Sequence, residues 1–274
     1  MAVKGNEYTV ENENNKYILK ARGVLKIKSS GIVCGDEVEF DEDRIIKVLE
    51  RKNYFIRPNV ANVDVVVIVL ATVPAPDFML IDKILIGALS QEVECILVVN
   101  KADLGQDILE KVKAEYKGSK VPILSVSTLT GEGIDALKSH LKNKVACLFG
   151  QSAVGKTSIC NAVFGLDLKV GDLSAKIQRG KQTTTGAQII KKGEYSFMDT
   201  AGFHKLLAFV DENDLKYVYP EFYEYNGNCY FNECNHIFEP SCEVKNAVLR
   251  GEISSGRYSR YKEIFEEIKQ NKRY

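Results

Sequence analysis

The sequence predicts a multidomain α/β protein in three parts: a small N-terminal β-barrel, a central doubly wound α/β domain and a C-terminal region built around a Cys/His cluster. Three observations predict it. Short β-rich runs separated by Asn, Gly and Asp fill residues 1–57. Residues 58–210 alternate apolar strand-length runs with amphipathic helix-length ones, the pattern of βα units around a parallel sheet. From 211 to 274 Tyr and Asn accumulate, and Cys229, Cys234, His236 and Cys242 crowd together.

Composition bounds the answer. A chain of 274 residues that is 45% hydrophobic and 27% charged can bury a substantial core, which excludes disorder as the default. Lys+Arg 37 balances Asp+Glu 37, so an all-over basic coat for nucleic acid is excluded, though a local basic patch is not. The longest apolar run, 65–73, is broken by Thr72 and is strand-sized, well short of the roughly 18 residues of a membrane span. The first residues, MAVKGNEYTVENENN, hold no apolar signal core and are too acidic for a transit peptide. A cytoplasmic location without a membrane partner is expected. The 7 Cys are an odd number and cannot all pair internally. In a reducing compartment, three of them beside one His point to a metal before disulfides.

The elements follow in order. Residues 8–10, 17–21, 24–27, 37–40 and 45–49 read as short strands, and five in this length fit a small barrel of the OB-fold type. Lys20, Arg22, Lys26 and Lys28 sit on the early strands, with like-facing alternation inside each pair. They suit either a solvated face or an RNA-contacting one. Arg57-Pro58-Asn59 marks a boundary. Residues 63–71 form a nearly continuous apolar strand, as in a sheet covered on both faces. A helix is expected over 78–90, a strand over 93–99, a helix over about 108–117 and a strand over 121–124. A helix over 134–142 and a strand over 144–149 lead to a Gly-rich loop and another helix. Residues 187–190 and 195–198 then form a hairpin-like strand pair. A last helix near 256–270 places Tyr258, Tyr261, Phe265 and Ile268 on one face. From Lys245 onward eight basic residues face four acidic ones.

The motifs carry the chemistry. Gly150-Gln151-Ser152-Ala153-Val154-Gly155-Lys156-Thr157, followed by Ser158, is G-x-x-x-x-G-K-[ST] between a strand and a helix. Its glycines let backbone N–H groups turn toward phosphates, and the helix start adds partial positive charge. Lys156 is expected at the β/γ-phosphates and Thr157 on Mg²⁺. Asp199-Thr200-Ala201-Gly202 ends the strand at 195–198. Asp199 would hold Mg²⁺ through water and the Gly202 N–H would face the γ-phosphate. Thr183, Thr184 and Thr185 lie between the two motifs. A hydroxyl there, assigned to Thr185, can complete the Mg²⁺ shell, although a polar β-rich loop reads the same way. Asn100-Lys101-Ala102-Asp103 follows a strand. The Asp103 carboxylate can accept from guanine N1 and N2, a donor pair adenine lacks, so GTP is selected over ATP. Lys101 would pack its stem on the base or a neighbouring loop. Ser125-Val126-Ser127 is placed to meet guanine O6 and brace Asp103.

The order NKAD, SVS, phosphate loop, TTT, DTAG is a circular permutation of the usual GTPase order, so 58–210 is read as a circularly permuted P-loop GTPase domain. The segment after DTAG, which responds to the γ-phosphate, then leads straight into the Cys/His region. Cys229-x4-Cys234-x-His236-x5-Cys242 offers thiolates and imidazole suited to tetrahedral Zn²⁺. Four protein ligands leave no open position, so one structural Zn²⁺ per chain is expected, with free buried thiols as the alternative. Cys34, Cys95, Cys147 and Cys160 lie in or beside apolar elements and read as core.

Together these segments resemble the RsgA (YjeQ) family of small-ribosomal-subunit-dependent GTPases. The likeness is carried by RPNVANVD (57–64), NKAD, GQSAVGKTS, TTT, DTAGF, the Cys/His cluster with EPSC, and ISSGRYSRY (253–261), and spans essentially the whole chain. It implies GTP hydrolysis to GDP and phosphate, stimulated by the 30S subunit during its late maturation. It also implies an OB-fold and a zinc-binding domain that contact 16S rRNA near the decoding region. A monomer is expected. Where the family carries Arg-His before TTT, this chain has Lys181-Gln182, and Phe203 follows DTAG. Gln182 is therefore the candidate catalytic helper, able as an amide to orient water but not to take a proton. The competing reading is an RNA-binding ribosome assembly module whose GTP site serves binding only.

Overall fold

The computed structural model describes residues 2–4, 7–12, 15–21, 31–56, 58–165, 187–199 and 210–271. In chain order the strands are β1 (Ala2–Lys4), β2 (Glu7–Asn12), β3 (Asn15–Ala21), β4 (Val38–Asp41), β5 (Arg44–Val48), β6 (Tyr54–Phe55), β7 (Val60–Ala61), β8 (Val65–Ala71), β9 (Glu94–Asn100), β10 (Ile123–Ser125), β11 (Val145–Phe149), β12 (Gln188–Lys192) and β13 (Tyr195–Asp199). The helices are α1 (Phe78–Leu89), α2 (Asp107–Glu115), α3 (Ile134–Leu141), α4 (Lys156–Phe164), α5 (Glu243–Leu249) and α6 (Ser255–Asn271). The chain forms two compact units.

The first unit comprises Met1–Val67, Gly133–Phe149 and Gly155–Lys205. β2 and β3 pair antiparallel from Glu7↔Lys20 to Asn12↔Asn15. β3 continues parallel to β5, and β5 antiparallel to β4 with a register shift at Glu39/Phe40. Strand alternation buries Tyr8, Val10, Leu19, Ala21 and Ile45 with Ile32 in one small core, while Lys16, Ile18 and Lys20 face solvent. Arg22, Lys26 and Lys28, with the strand expected at 24–27, lie outside the described residues. β1 has too few residues to show any periodicity, and the sequence reading passed over it. One edge pairs with β2 and the other with β12 at Ala2↔Gln188. The N-terminal strands thereby continue one sheet, in the order β11-β13-β12-β1-β2-β3-β5-β4. The β12–β13 pair is antiparallel as expected, and β13 runs parallel to β11 with Cys147 opposite Met198. That register brings Asp199 and the chain leaving Phe149 to one end of the sheet.

The second unit comprises Ile68–Glu132, Gly150–Val154 and Leu206–Tyr274. β9 and β10 pair parallel from Leu97↔Ile123 to Val99↔Ser125. β8, which runs from one unit into the other, is buried at every residue, as its unbroken apolar run requires. α1 is N-capped by Asp77, whose carboxylate accepts from Leu80 N at 3.0 Å. Its Ile86 belongs to the same hydrophobic cluster as Leu215, Tyr219, Phe222, Val244, Tyr261, Ile264, Phe265 and Ile268, with Tyr258 packed against it. The expected apolar face of α6 is thus the one that is buried. α5 was not anticipated: it has seven residues and buries only Val244 and Ala247.

Charges are buried beside this core. Arg257 is 1% exposed; its Nε donates to Glu221 Oε1 at 2.7 Å, and its guanidinium lies 4.4 Å from the Tyr219 ring centroid. Its Nη1 sits 2.5 Å from Asp82 Oδ1 but off a hydrogen-bond axis, and Nη2 has no acceptor. Arg260 bridges Asp82 on α1 (2.6 Å) and Glu115 on α2 (2.9 Å). Tyr116 Oη donates to Asp82 Oδ1 at 2.7 Å. Among the described residues no helix is long and apolar enough to cross a membrane.

Candidate functional site

β9 ends in Asn100, and the chain then turns through Lys101, whose φ of 63° is left-handed, into the 3₁₀ turn Ala102–Leu104. Asn100 is buried. Its Nδ2 donates to Val154 O at 2.9 Å, and its Oδ1 has no protein partner. Lys101 Nζ donates to Ala153 O at 2.9 Å and to Val73 O at 2.7 Å. These two side chains therefore hold the carbonyls of the glycine-rich loop rather than project into open space. Asp103 is exposed, and its Oδ1 accepts from Ser127 Oγ at 2.6 Å. Ser127 is buried and its Oγ also accepts from Thr130 N at 3.2 Å, while Ala102 N donates to Val126 O at 3.1 Å. The carboxylate is braced by its neighbour loop, and its second oxygen has no partner among the described residues. Ser125 does not share in this: its Oγ is buried without a partner at the end of β10.

The loop after β11 depends on glycine at its first residue. Gly150 has φ +136°, and a Cβ there would stand 2.1 Å from Val69 O. Ala153 (φ 65°) and Gly155 (φ 96°) are also left-handed, the kind of backbone from which anion-binding nests of N–H groups are built. Gln151 Oε1 accepts from Asp77 N at 3.1 Å, a tie no motif announces. Ser152 and Ala153 are exposed at the loop tip and Val154 is buried. Gly155 caps α4, whose first turn carries Lys156, Thr157 and Ser158, all half-buried. Burial pulls the Lys156 ammonium below lysine's usual pKa, with Cys160 working the other way. Asp199 closes β13. Lys181, Gln182, Thr183, Thr184, Thr185, Thr200, Ala201, Gly202 and Phe203 lie outside the described residues.

The Cys/His cluster is brought together as the spacing requires. The ligand atoms of Cys229, Cys234, His236 and Cys242 all lie within 4.8 Å of one another and could hold a metal ion. Cys229 Sγ is 3.9 Å from Cys242 Sγ, and His236 Nδ1 is 3.3 Å from Cys242 Sγ and 3.6 Å from Cys229 Sγ. Cys234, His236 and Cys242 are buried. Burial raises the Cys242 thiol and lifts that of Cys234 to about 12, so their thiolates need a cation beside them. It lowers His236 to about 4, with Lys216 adding to the effect, which leaves a neutral imidazole. Tyr258 Oη donates to His236 O at 2.6 Å and Tyr261 Oη to Asn235 O at 2.7 Å. The sequence placed both tyrosines on one face of the last helix but held no sign that their hydroxyls fasten this loop. Cys34, Cys95, Cys147 and Cys160 are buried, as read.

Comparison with known proteins agrees with this arrangement. Residues 48–208 match the model of the RsgA GTPase family. A Thermotoga neapolitana protein named small ribosomal subunit biogenesis GTPase RsgA is 41% identical, over 98% of this chain and 95% of its own. The crystal structure of YjeQ from Thermotoga maritima is 37% identical with a TM-score of 0.81, covering 97% of this chain and 96% of that one. The structure of YloQ, described as a circularly permuted GTPase, is 27% identical with a TM-score of 0.75, covering 98% and 93%. With a family model matching more than half of the chain and a relative 41% identical over nearly all of it, this protein belongs to the RsgA GTPase family.

Proposed function

We propose that this chain hydrolyses GTP to GDP and phosphate on the small ribosomal subunit and acts in that subunit's maturation. The observation that carries the nucleotide half is the braced Asp103. A carboxylate fixed through Ser127 at 2.6 Å, on a turn whose Lys101 and Asn100 grip the glycine-rich loop, ties base choice to phosphate binding. The Asp103 carboxylate pairs with the guanine N1–H and N2–H₂ edge, since Oδ1 keeps a second acceptor site beside its bond from Ser127 and Oδ2 is open. The backbone of 150–155 cradles the phosphates, and Lys156 supplies charge at β and γ. Phosphate next to the half-buried ammonium offsets its desolvation. Thr157 and Asp199 are hard oxygen donors that suit Mg²⁺, with Thr185 and Gly202 on the γ-phosphate side and Gln182 orienting water. The ribosomal half follows from the relatives' names. On this reading residues 1–57 form an OB-fold and 211–274 a zinc-binding domain, both facing 16S rRNA, around a GTPase domain at 58–210. The protein works as a cytoplasmic monomer.

The metal of the C-terminal cluster is zinc on this account. A tetrahedral Zn²⁺ with bonds of about 2.3 Å to sulfur and about 2.0–2.1 Å to nitrogen requires S···S near 3.8 Å and S···N near 3.5 Å. The observed 3.9, 3.6 and 3.3 Å fit that frame. Four protein ligands make the site structural.

Phosphate release with isolated small subunits tests the reaction. The wild type should turn over GTP and not ATP, and Lys156→Ala should abolish turnover while staying folded. A wild type that binds GTP on the subunit without releasing phosphate would instead support the binding-only module. Wild-type turnover in a folded Lys156→Ala would remove the phosphate-loop assignment.

A further inference from the structure

We infer that Asn226 is a positioning residue of the metal site, which sets the nitrogen that His236 turns toward the ion. The inference rests on the metal reading above. Asn226 opens the 3₁₀ turn Asn226–Asn228, immediately before the first thiol ligand, Cys229. Its Oδ1 lies 2.6 Å from His236 Nε2. An amide oxygen only accepts hydrogen bonds, so the proton of this pair sits on Nε2. A neutral imidazole carries one N–H, which leaves Nδ1 with a bare lone pair. Nδ1 is the atom that faces the sulfurs, 3.3 Å from Cys242 and 3.6 Å from Cys229. The ring is thus set in the ligating tautomer by a group outside the four ligands.

The reverse arrangement is self-defeating. Turning the amide to present Nδ2 to Nε2 would force the proton onto Nδ1, among the thiols, and block ligation. The rest of the ring's surroundings fix its position but not its tautomer. Phe222 meets it edge-on with centroids 5.6 Å apart, and Tyr258 holds only its backbone carbonyl. Among the described residues Asn226 is the side chain that reads the ring's far nitrogen. Nothing in the sequence distinguishes it from Asn228, Asn232 or Asn235 nearby. Outer partners of this kind are worth roughly tenfold to a hundredfold in metal affinity.

The test uses the full chain. Zinc affinity is measured by competition with a chromophoric chelator for the wild type, Asn226→Ala and Asn226→Asp. Asn226→Ala should weaken zinc roughly tenfold to a hundredfold while still binding one ion per chain at saturation. Asn226→Asp, which accepts the same N–H, should restore near wild-type affinity. Should Asn226→Ala fail to fold, the wild type suffices. Loaded with an NMR-active cadmium isotope, its long-range proton–nitrogen spectra should show coupling to Nδ1 of His236 and a proton on Nε2. Wild-type affinity in Asn226→Ala, or cadmium coupled to Nε2, overturns the inference. A wild type that binds zinc with either result leaves the metal reading standing; one that binds no zinc sinks that reading and this inference with it.

Discussion

At the scale of single residues, the proposed function rests base choice on one carboxylate, that of Asp103. Asp103→Asn should cost GTP binding several kcal/mol, because the amide has one oxygen for two donors and its NH₂ is left facing guanine's N2 amine. The same substitution should improve xanthosine triphosphate, which carries a carbonyl acceptor where guanine has its N2 amine. Competition binding with the two nucleotides reads the switch directly, and unchanged discrimination would reject the guanine assignment. Gln182 is the complementary case on the hydrolysis side. If its amide orients the attacking water, Gln182→Ala should lower subunit-stimulated turnover by roughly tenfold to a hundredfold with GTP affinity nearly unchanged. Turnover at the wild-type rate would mean that the ribosome orders the water. The motif residues were legible because their chemistry fixes residue type at fixed spacing. Their supports were not. Ser127 was one of two serines offered for bracing Asp103, and only the fold selects it over Ser125. The ties of Lys101 to Val73 O and of Gln151 to Asp77 N are side-chain to backbone contacts, which leave no mark on the partner's residue type.

At the scale of elements, α6 shows what helical spacing can and cannot reveal. Its apolar face, with Tyr261, Phe265 and Ile268 buried, followed from the 3.6-residue period. The same helix also buries Arg257, which i, i+4 spacing sets beside Tyr261 but whose charge gave no sign of burial. Asp82 on α1 and Glu221 hold it, while Arg260 links Asp82 to Glu115 on α2. Those partners lie far away in sequence, so the pairing was not legible. Two guanidinium nitrogens and Glu221 Oε2 without hydrogen-bond partners make this network expensive to keep in a dry site. Arg257→Ala should therefore destabilise the chain by about 3–5 kcal/mol, since Glu221 would lose the guanidinium that pairs with it while buried, and Asp82 would keep only Arg260 and Tyr116. Chemical denaturation measures it, and a loss under about 1 kcal/mol would show that water or local rearrangement already satisfies the acids. β1 and α5 escaped the sequence reading for a simpler reason: neither is long enough to display a period.

At the scale of the molecule, chain order and compactness diverge. The C-terminal region was separable in the sequence by composition, yet its cluster includes Ile86 of α1, and its last helix is ion-paired to α1 and α2. Metal at Cys229, Cys234, His236 and Cys242 should thus support more than its own loop. Stripping it with a strong chelator should raise amide exchange in α1 as well as in α5 and α6. Exchange confined to 229–242 would show that the cluster is only a local staple. The account as a whole, a guanine-selective GTPase set in motion by the small ribosomal subunit, is tested most directly by steady-state GTP hydrolysis of the purified chain alone and with 30S, 50S and 70S particles. The account predicts slow turnover alone, strong stimulation by 30S subunits and none by 50S. Equal rates under all conditions, or stimulation by 50S alone, would contradict it.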